Sequence, residues 1–289
     1  MSLLSLLNLL GHLKYQQLRP PLDHWMTTMM TMKLMIAESS SRVSNSQKFH
    51  VSIYICIYIY HTNHQSFSVK CVYPDEVDEP GLTWLIQEFI YEQHHPNSSA
   101  RNILNLPPFY EKITIHTSAV ATFHAPSDLS GISGMKRERI HAVNRWRNGP
   151  GRYDMMFINT THSDTDDDAG SSSAHGFLDL EVARAHLFFS FVHEGVKYPC
   201  ALVHWFSRPS NVPSDITGMY TLEPDRDRNG QPVTAVIHLD TVFRAAHLLP
   251  VFHNHPALSK RQRFEQTLDL FSKFYINHYI DHHAFELVS

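Results

Sequence analysis

The sequence predicts an α+β domain: a small antiparallel β-barrel or sandwich flanked by helices, preceded by a poorly packed N-terminal segment. Three observations lead there. Ala185 to Phe206 reads as two strands of aromatic and β-branched residues joined by a turn at His193-Glu194-Gly195. Turn residues recur roughly every 8–12 residues through the later strands, the spacing of an antiparallel fold and not of alternating βαβ units. Helical periodicity is confined to the two ends of the region 72–289.

The elements follow in order. Residues 1–71 differ in composition from the rest. Leu3, Leu4, Leu6, Leu7, Leu9, Leu10 and Leu13 suit an apolar helix face ending near Arg19-Pro20-Pro21, a Met/Thr run spans Met26 to Met35, and Glu38 to Ser46 is a Ser-rich linker. Ile53 to Tyr60 alternates Ile and Tyr as a strand does, with no evident partner. Few charges and repetitive hydrophobes also suit a translated non-coding stretch, so weak packing is expected here. From Tyr73 the composition changes. An acidic loop, Asp75 to Glu79, leads into a helix with Leu82, Leu85, Ile86, Phe89 and Ile90 on one face. Lys112 to His124 reads as one bulged strand and Tyr153 to Asn159 as another. Ser163 to Ser173 reads as an acidic, Ser-rich loop. After the central hairpin come a strand at Gly218 to Pro224, a turn at Asp225 to Gly230 and a returning strand at Pro232 to Leu239. Phe243 to Phe252 suits a strand or a helical turn. Arg261 to Tyr279 reads as a helix, with Phe264, Leu268, Phe271, Phe274 and Tyr275 on one face.

Bulk composition excludes little. The formal net charge is -4, so no global field points to nucleic acid or membrane. The 22 histidines stand against 24 Lys plus Arg, which makes charge steeply pH-dependent below about 6.5. Cys56, Cys71 and Cys200 have no metal-binding spacing, which fits a reducing, intracellular compartment. Val51 to Tyr60 is far shorter than the roughly 20 residues of a membrane-spanning helix, and no membrane association is expected.

Candidate chemistry is local. Lys136, Arg137, Arg139, Arg145, Arg147 and Arg152 surround Trp146, with Glu138 as the one acid among them. Basic side chains interleaved with an aromatic suit a phosphate backbone with a base or sugar beside it. The plainer reading is a solvated loop whose Trp146 plugs the core. Trp205, Phe206 and Tyr220 could line an aromatic peptide groove, or all three could be core. His278 and His282, four apart on the expected helix, could supply two zinc ligands. The glutamate of a metalloprotease helix is missing, since Tyr279 follows His278. His247, His253 and His255 are further candidates without diagnostic spacing. Asp225-x-Asp227-x-Asn229-Gly230 begins like a calcium loop but has Val236 where bidentate Glu is needed, so it reads as a hairpin turn. Cys200 and His204 are too far apart along a strand to act as nucleophile and base. No cofactor motif is found.

A longer pattern runs through Ser118 to Gly131, Arg137-Glu138-Arg139-Ile140, Gly149-Pro150-Gly151-Arg152-Tyr153-Asp154 and Tyr198 to Phe206. It continues in Asp215 to Met219, His238-Leu239-Asp240, Arg244 to Val251 and Phe274 to Glu286. Over roughly 72–289 the chain resembles the C-terminal region of the Plavaka-type transposases of fungal CACTA-like mobile elements. The resemblance implies a transposon-derived tail acting in the nucleus, with DNA or a chromatin or transposase protein as partner. It implies no catalytic residue, because the family's DNA-cleaving carboxylates lie upstream of this region and no position here matches them. Its layout is also similar, at fold level, to chromatin readers of the bromo-adjacent homology class. A β-barrel peptide reader and a His-based metallohydrolase are the alternatives to a non-enzymatic DNA- or protein-binding domain.

Overall fold

The computed structural model describes residues 58–59, 70–95, 106–125, 134–160, 180–252 and 266–288. All of them belong to one unit, Ile53–Ser289. The helix expected from Leu3 to near Arg19, the Met/Thr run, the Ser-rich linker and the acidic loop 163–173 lie outside these residues.

The strands are β1 (Tyr58–Ile59), β2 (Cys71–Val72), β3 (Ile113–His116), β4 (Ser118–His124), β5 (Met135–Val143), β6 (Arg152–Tyr153), β7 (Met155–Asn159), β8 (Leu180–His193), β9 (Val196–Ser207), β10 (Thr221–Pro224), β11 (Thr234–His238), β12 (Val242–Ala246), β13 (Leu248–Pro250) and β14 (Phe274–Ile276). The helices are α1 (Leu82–His94), α2 (Thr267–Leu270) and α3 (His282–Val288). Every strand pairing is antiparallel. A large sheet runs β12-β7-β8-β9-β10-β14-β13, with β11 on β9 and β2-β3 on β8. A second sheet runs β1-β4-β5-β6. The expected sandwich is present. The barrel is not: among the described residues the sheets face one another without closing.

The hairpin β8–β9 is the spine. His193 pairs with Val196, and Glu194 and Gly195 between them have φ of 51° and 81°. Positive φ at both central residues is the two-residue turn that matches strand twist, and Gly195 fills its second position without strain. A register shift between Ala185 and Leu187 then changes which residues face which layer. Before it, Val182 packs with Met155, Phe206 and Phe274, whereas Ala183 and Ala185 face the second sheet. After it, Leu187, Phe189 and Phe191 pack under α1, and Phe188 faces the second sheet. One strand thus supplies both faces of the large sheet along its length. That is why its sequence is hydrophobic almost throughout.

The large sheet is covered on one face by α1, through the apolar stripe predicted for it, and by Phe271 and α3, with Phe274 and Ile276 of its own strand β14 in the same apolar cluster. Its other face meets β4 and β5. Ala119, Ala121, Ala142, Ala183, Ala185 and Ala201 lie in that interface, so small side chains set a close approach of the two sheets, with Ile140, Met156 and Phe188 filling between them.

Several expectations are corrected. Lys112 to His124 is not one bulged strand. The chain turns at Thr117, and β3 and β4 belong to different sheets. Of the two readings of Phe243 to Phe252, the strand is the one present, as β12 and β13. The helix expected from Arg261 to Tyr279 is limited, among the described residues, to the single turn α2. Phe274 and Ile276 are buried on β14 because β10 and β13 offer two strand edges, and that pairing overrides the helical spacing. The Ile/Tyr strand does have a partner: Tyr58 and Ile59 pair with Val120 and Ala119 of β4. The strands β10 and β11 do not pair along their lengths with each other. Both lie along β9, and the chain between them leaves it as a short ear capped by Asp227, whose Oδ1 accepts from the N–H groups of Asn229 and Gln231 at 2.8 Å. That carboxylate is engaged in turn formation, which agrees with a hairpin and not a calcium loop.

The close sheet approach predicts that enlarging Ala201 is not tolerated. Ala201→Leu should lower stability by about 1–3 kcal/mol in urea unfolding. An unchanged midpoint would mean that the interface has slack.

A candidate nucleic-acid interface and the ion network behind it

The basic segment is distributed by strand alternation. On β5, Arg137, Arg139 and His141 project to one side, whereas Lys136, Glu138 and Ile140 project to the other. Arg137 and Arg139 are exposed, and Arg139 Nη1 donates to Ser118 Oγ at 3.3 Å. Ile140 is fully buried between the sheets. Glu138 therefore does not dilute the outward charge. It points inward, where Oε1 accepts from Arg244 Nη2 at 2.8 Å and Oε2 accepts from the Ala245 N–H at 3.1 Å. Lys136, on the same side, lies in the field of that inner group and away from Arg137 and Arg139.

Beyond β5 the chain makes a tight turn. Gly149 N–H donates to Trp146 O at 2.8 Å, and the two central residues, Arg147 and Asn148, have φ of 47° and 61°. Left-handed backbone at a residue with a side chain costs roughly 1–2 kcal/mol. The packing around the turn repays it. Trp146 meets the His141 ring edge-on at 4.3 Å, and the guanidiniums of Arg147 and Arg152 lie 5.3 and 5.2 Å from its ring centre. Asp154 anchors the base of the turn: Oδ2 lies 2.8 Å from His141 N and 3.0 Å from His141 Nδ1, and Oδ1 accepts from Arg152 Nε at 2.7 Å. Burial alone would raise the Asp154 carboxyl, but these hydrogen bonds outweigh it and hold the group below the usual range. Gly151 has no room for a side chain, since a Cβ there would lie 2.8 Å from the Tyr153 ring and 3.0 Å from Val143 O. Arg145 is exposed beside the turn. Of the seven candidates, the structure brings Arg145, Trp146, Arg147 and Arg152 together, adds Arg137 and Arg139 on the adjoining strand, and sends Lys136 inward. Trp146 neither plugs the core nor stands open: its ring gathers guanidiniums.

Behind this face lies an ion network that the sequence did not single out. Arg244, only 2% exposed, donates to Asp281 Oδ1 at 3.0 Å and Oδ2 at 2.6 Å as well as to Glu138. Its Nη1 is 3.0 Å from His283 Nδ1. A guanidinium only donates, so His283 accepts there and is neutral. Its guanidinium carbon lies 4.7 Å from the centre of the Phe123 ring, and His283 stacks on that ring at 5.0 Å. Burial raises the Glu138 carboxyl despite Arg244. Burial also acts to raise Asp281, but the Arg244 and Ala284 hydrogen bonds prevail and take it to about 2. No local pattern joins these residues, because Glu138 and Arg244 are 106 residues apart in the chain.

The other candidates do not converge. Trp205 and Phe206 are neighbours on β9 and project to opposite faces. Phe206 is buried against Phe274, and Tyr220 packs at the margin of the same apolar cluster. A cavity of about 220 Å³ touches Trp205 and Phe206, along with Leu180, Glu181, Arg208 and Asp225, but not Tyr220. His278 and His282 do not share a helix face. His278 is in a single 3-10 turn, and Asp281, extended at φ -155° and ψ 168°, separates it from α3. Among the described residues no group of three or more His, Cys, Asp or Glu is arranged to hold a metal ion. His247 Nδ1 is 3.1 Å from Asn277 Nδ2, whereas His253 and His255 lie outside the described residues. Cys200 is buried, which pushes its thiol well up. His204 Nε2 lies 2.8 Å from the Asp225 carbonyl. No helix among the described residues is long and apolar enough to cross a membrane.

No family model, curated protein or solved structure matches the chain.

Three histidines, His204 and His283 buried and His186 half-buried, give the fold an acid limit. Burial, with Arg184 and His204 nearby, takes His186 down to about 4. Burial likewise lowers His204 and His283. Unfolded histidine titrates near 6.5, so between about 6.5 and 4 the unfolded chain binds more protons than the folded one, and stability falls as pH falls. His186 alone accounts for about 3 kcal/mol once pH is below 4. Thermal unfolding should show a steep drop in Tm from pH 7 to 4.5, shallower in His186→Gln. Equal slopes would mean that His186 is not held neutral in the fold.

Proposed function

We propose that this domain is a non-catalytic, transposon-derived module that binds duplex DNA through its phosphates. The observation that carries the reading is the segregation of charge on β5 and the turn after it. Arg137 and Arg139 project from the outer side of β5, Arg145, Arg147 and Arg152 follow at the turn, where Arg147 and Arg152 lie against the Trp146 ring, and the one acid among them is drawn inside by Arg244. The Trp146 ring holds arginines close together, which suits an array of phosphates better than a stack of bases. A nuclear role and a chromatin or transposase partner follow from the resemblance to transposase tails. A reader of the bromo-adjacent homology class is the second reading. The cavity beside Trp205 favours it, with Glu181 and Asp225 available to a basic peptide side chain.

The two are separable. In fluorescence anisotropy with a short duplex, Arg145→Glu/Arg147→Glu should weaken binding by at least tenfold with Tm unchanged, and Trp205→Ala should not. Unaltered affinity in the double variant would refute the DNA reading. Loss of basic-peptide binding in Trp205→Ala alone would favour the reader.

A further inference from the structure

The C-terminal end carries an exposed apolar patch that neither reading uses. Ile216 is 94% exposed, Tyr279 60%, Ile280 51% and Phe285 45%. They are contiguous: Tyr279 hydroxyl donates to Thr217 O at 3.4 Å, and the Tyr279 and Phe285 rings are 5.9 Å apart. Beneath them is His278, 4% exposed, its ring 4.1 Å from Tyr279 and 5.3 Å from Phe285. Among the described residues, neither ring nitrogen of His278 has a hydrogen-bond partner. A buried imidazole with both nitrogens unsatisfied is costly, and an apolar patch of this kind marks an interaction site.

We propose that this patch is the interface of a homodimer, covered by the same patch of a second copy. The charges on α3 select that occupant. Its outward side carries His282, Phe285 and Glu286, while His283, Ala284 and Val288 are buried. His282 and Glu286 are four residues apart, with Nδ1 to Oε1 at 3.4 Å. Two copies of α3 placed antiparallel about a two-fold axis set His282 of each against Glu286 of the other and bring the two Phe285 rings together. A patch with an imidazole donor at one end and a carboxylate acceptor at the other, around an apolar centre, complements itself, as a two-fold interface requires. A single-sign rim would have pointed to an unlike partner. In the dimer Ile216 and Ile280 are covered. The inference stands apart from the DNA reading, because none of these residues is on the arginine face.

Sedimentation velocity of the full chain over a hundredfold concentration range tests it. The wild type should pass from monomer to dimer. Phe285→Asp and Ile216→Asp should each shift that transition at least tenfold in concentration with an unchanged far-UV spectrum and Tm. Glu286→Lys should weaken the dimer, and His282→Glu/Glu286→Lys, which swaps the two ends, should restore it. A monomer throughout the range, or self-association that Phe285→Asp and Ile216→Asp leave untouched, would overturn the proposal.

Discussion

Arg244 is the constraint on which the rest depends. It sits on β12, at the margin of the large sheet, where a backbone N–H would otherwise face the gap between the sheets. Glu138 reaches across from β5 to take the Ala245 N–H and the guanidinium together, a side chain doing what a neighbouring strand would do. Asp281 and His283 hold the same guanidinium from the C-terminal side. One cation thereby fastens both layers and the C-terminal helix. Such a group is poor evidence of net stabilisation relative to an apolar core, because its desolvation is expensive. Removing one partner is different: it leaves buried charge uncompensated, at a cost of about 3–5 kcal/mol. The network shares with the buried Ile140 and Ala142 the side of β5 that turns inward.

That choice creates the outward face. Strand alternation means that seating Glu138 obliges Arg137 and Arg139 to project the other way. The same logic continues past β5, where Asp154 secures Arg152 and the His141 ring, and the left-handed turn at Arg147 carries a second guanidinium to Trp146. Like charges held this close repel one another, and the fold tolerates them by stacking them on an aromatic face and backing them with a buried carboxylate. A nearly neutral chain, net -4 overall, can in this way hold a strongly basic patch. Composition averages over the surface, whereas binding reads it locally.

Local patterns were legible in the sequence where one element decided them. The α1 stripe from Leu82 to Ile90, the β8–β9 hairpin and its Glu194-Gly195 turn all follow from spacing and turn chemistry. What failed depended on partners distant in the chain. Phe271, Phe274 and Tyr275 have helical spacing, yet two open strand edges claimed Phe274 and Ile276. The turn at Thr117 carries no Gly or Pro signal, so a change of sheet looked like a change of phase. Glu138 looked like a flaw in a basic run because its partner lies over a hundred residues away. The six basic residues around Trp146 are visible in the sequence as composition. Their division into an outward group and the inward Lys136 required the pleat and the network together.

The measurement that bears most directly on the account is the salt dependence of duplex binding. Each phosphate neutralised contributes a slope of roughly -0.9 to log Kobs against log salt. With Arg137, Arg139, Arg145, Arg147 and Arg152 on one face, the expected slope is about -3 to -5, and it should fall in Glu138→Gln if the inward carboxylate is what orients β5. A slope near zero, or one that Arg145→Glu/Arg147→Glu leaves unchanged, would contradict a phosphate-binding face built on Arg244.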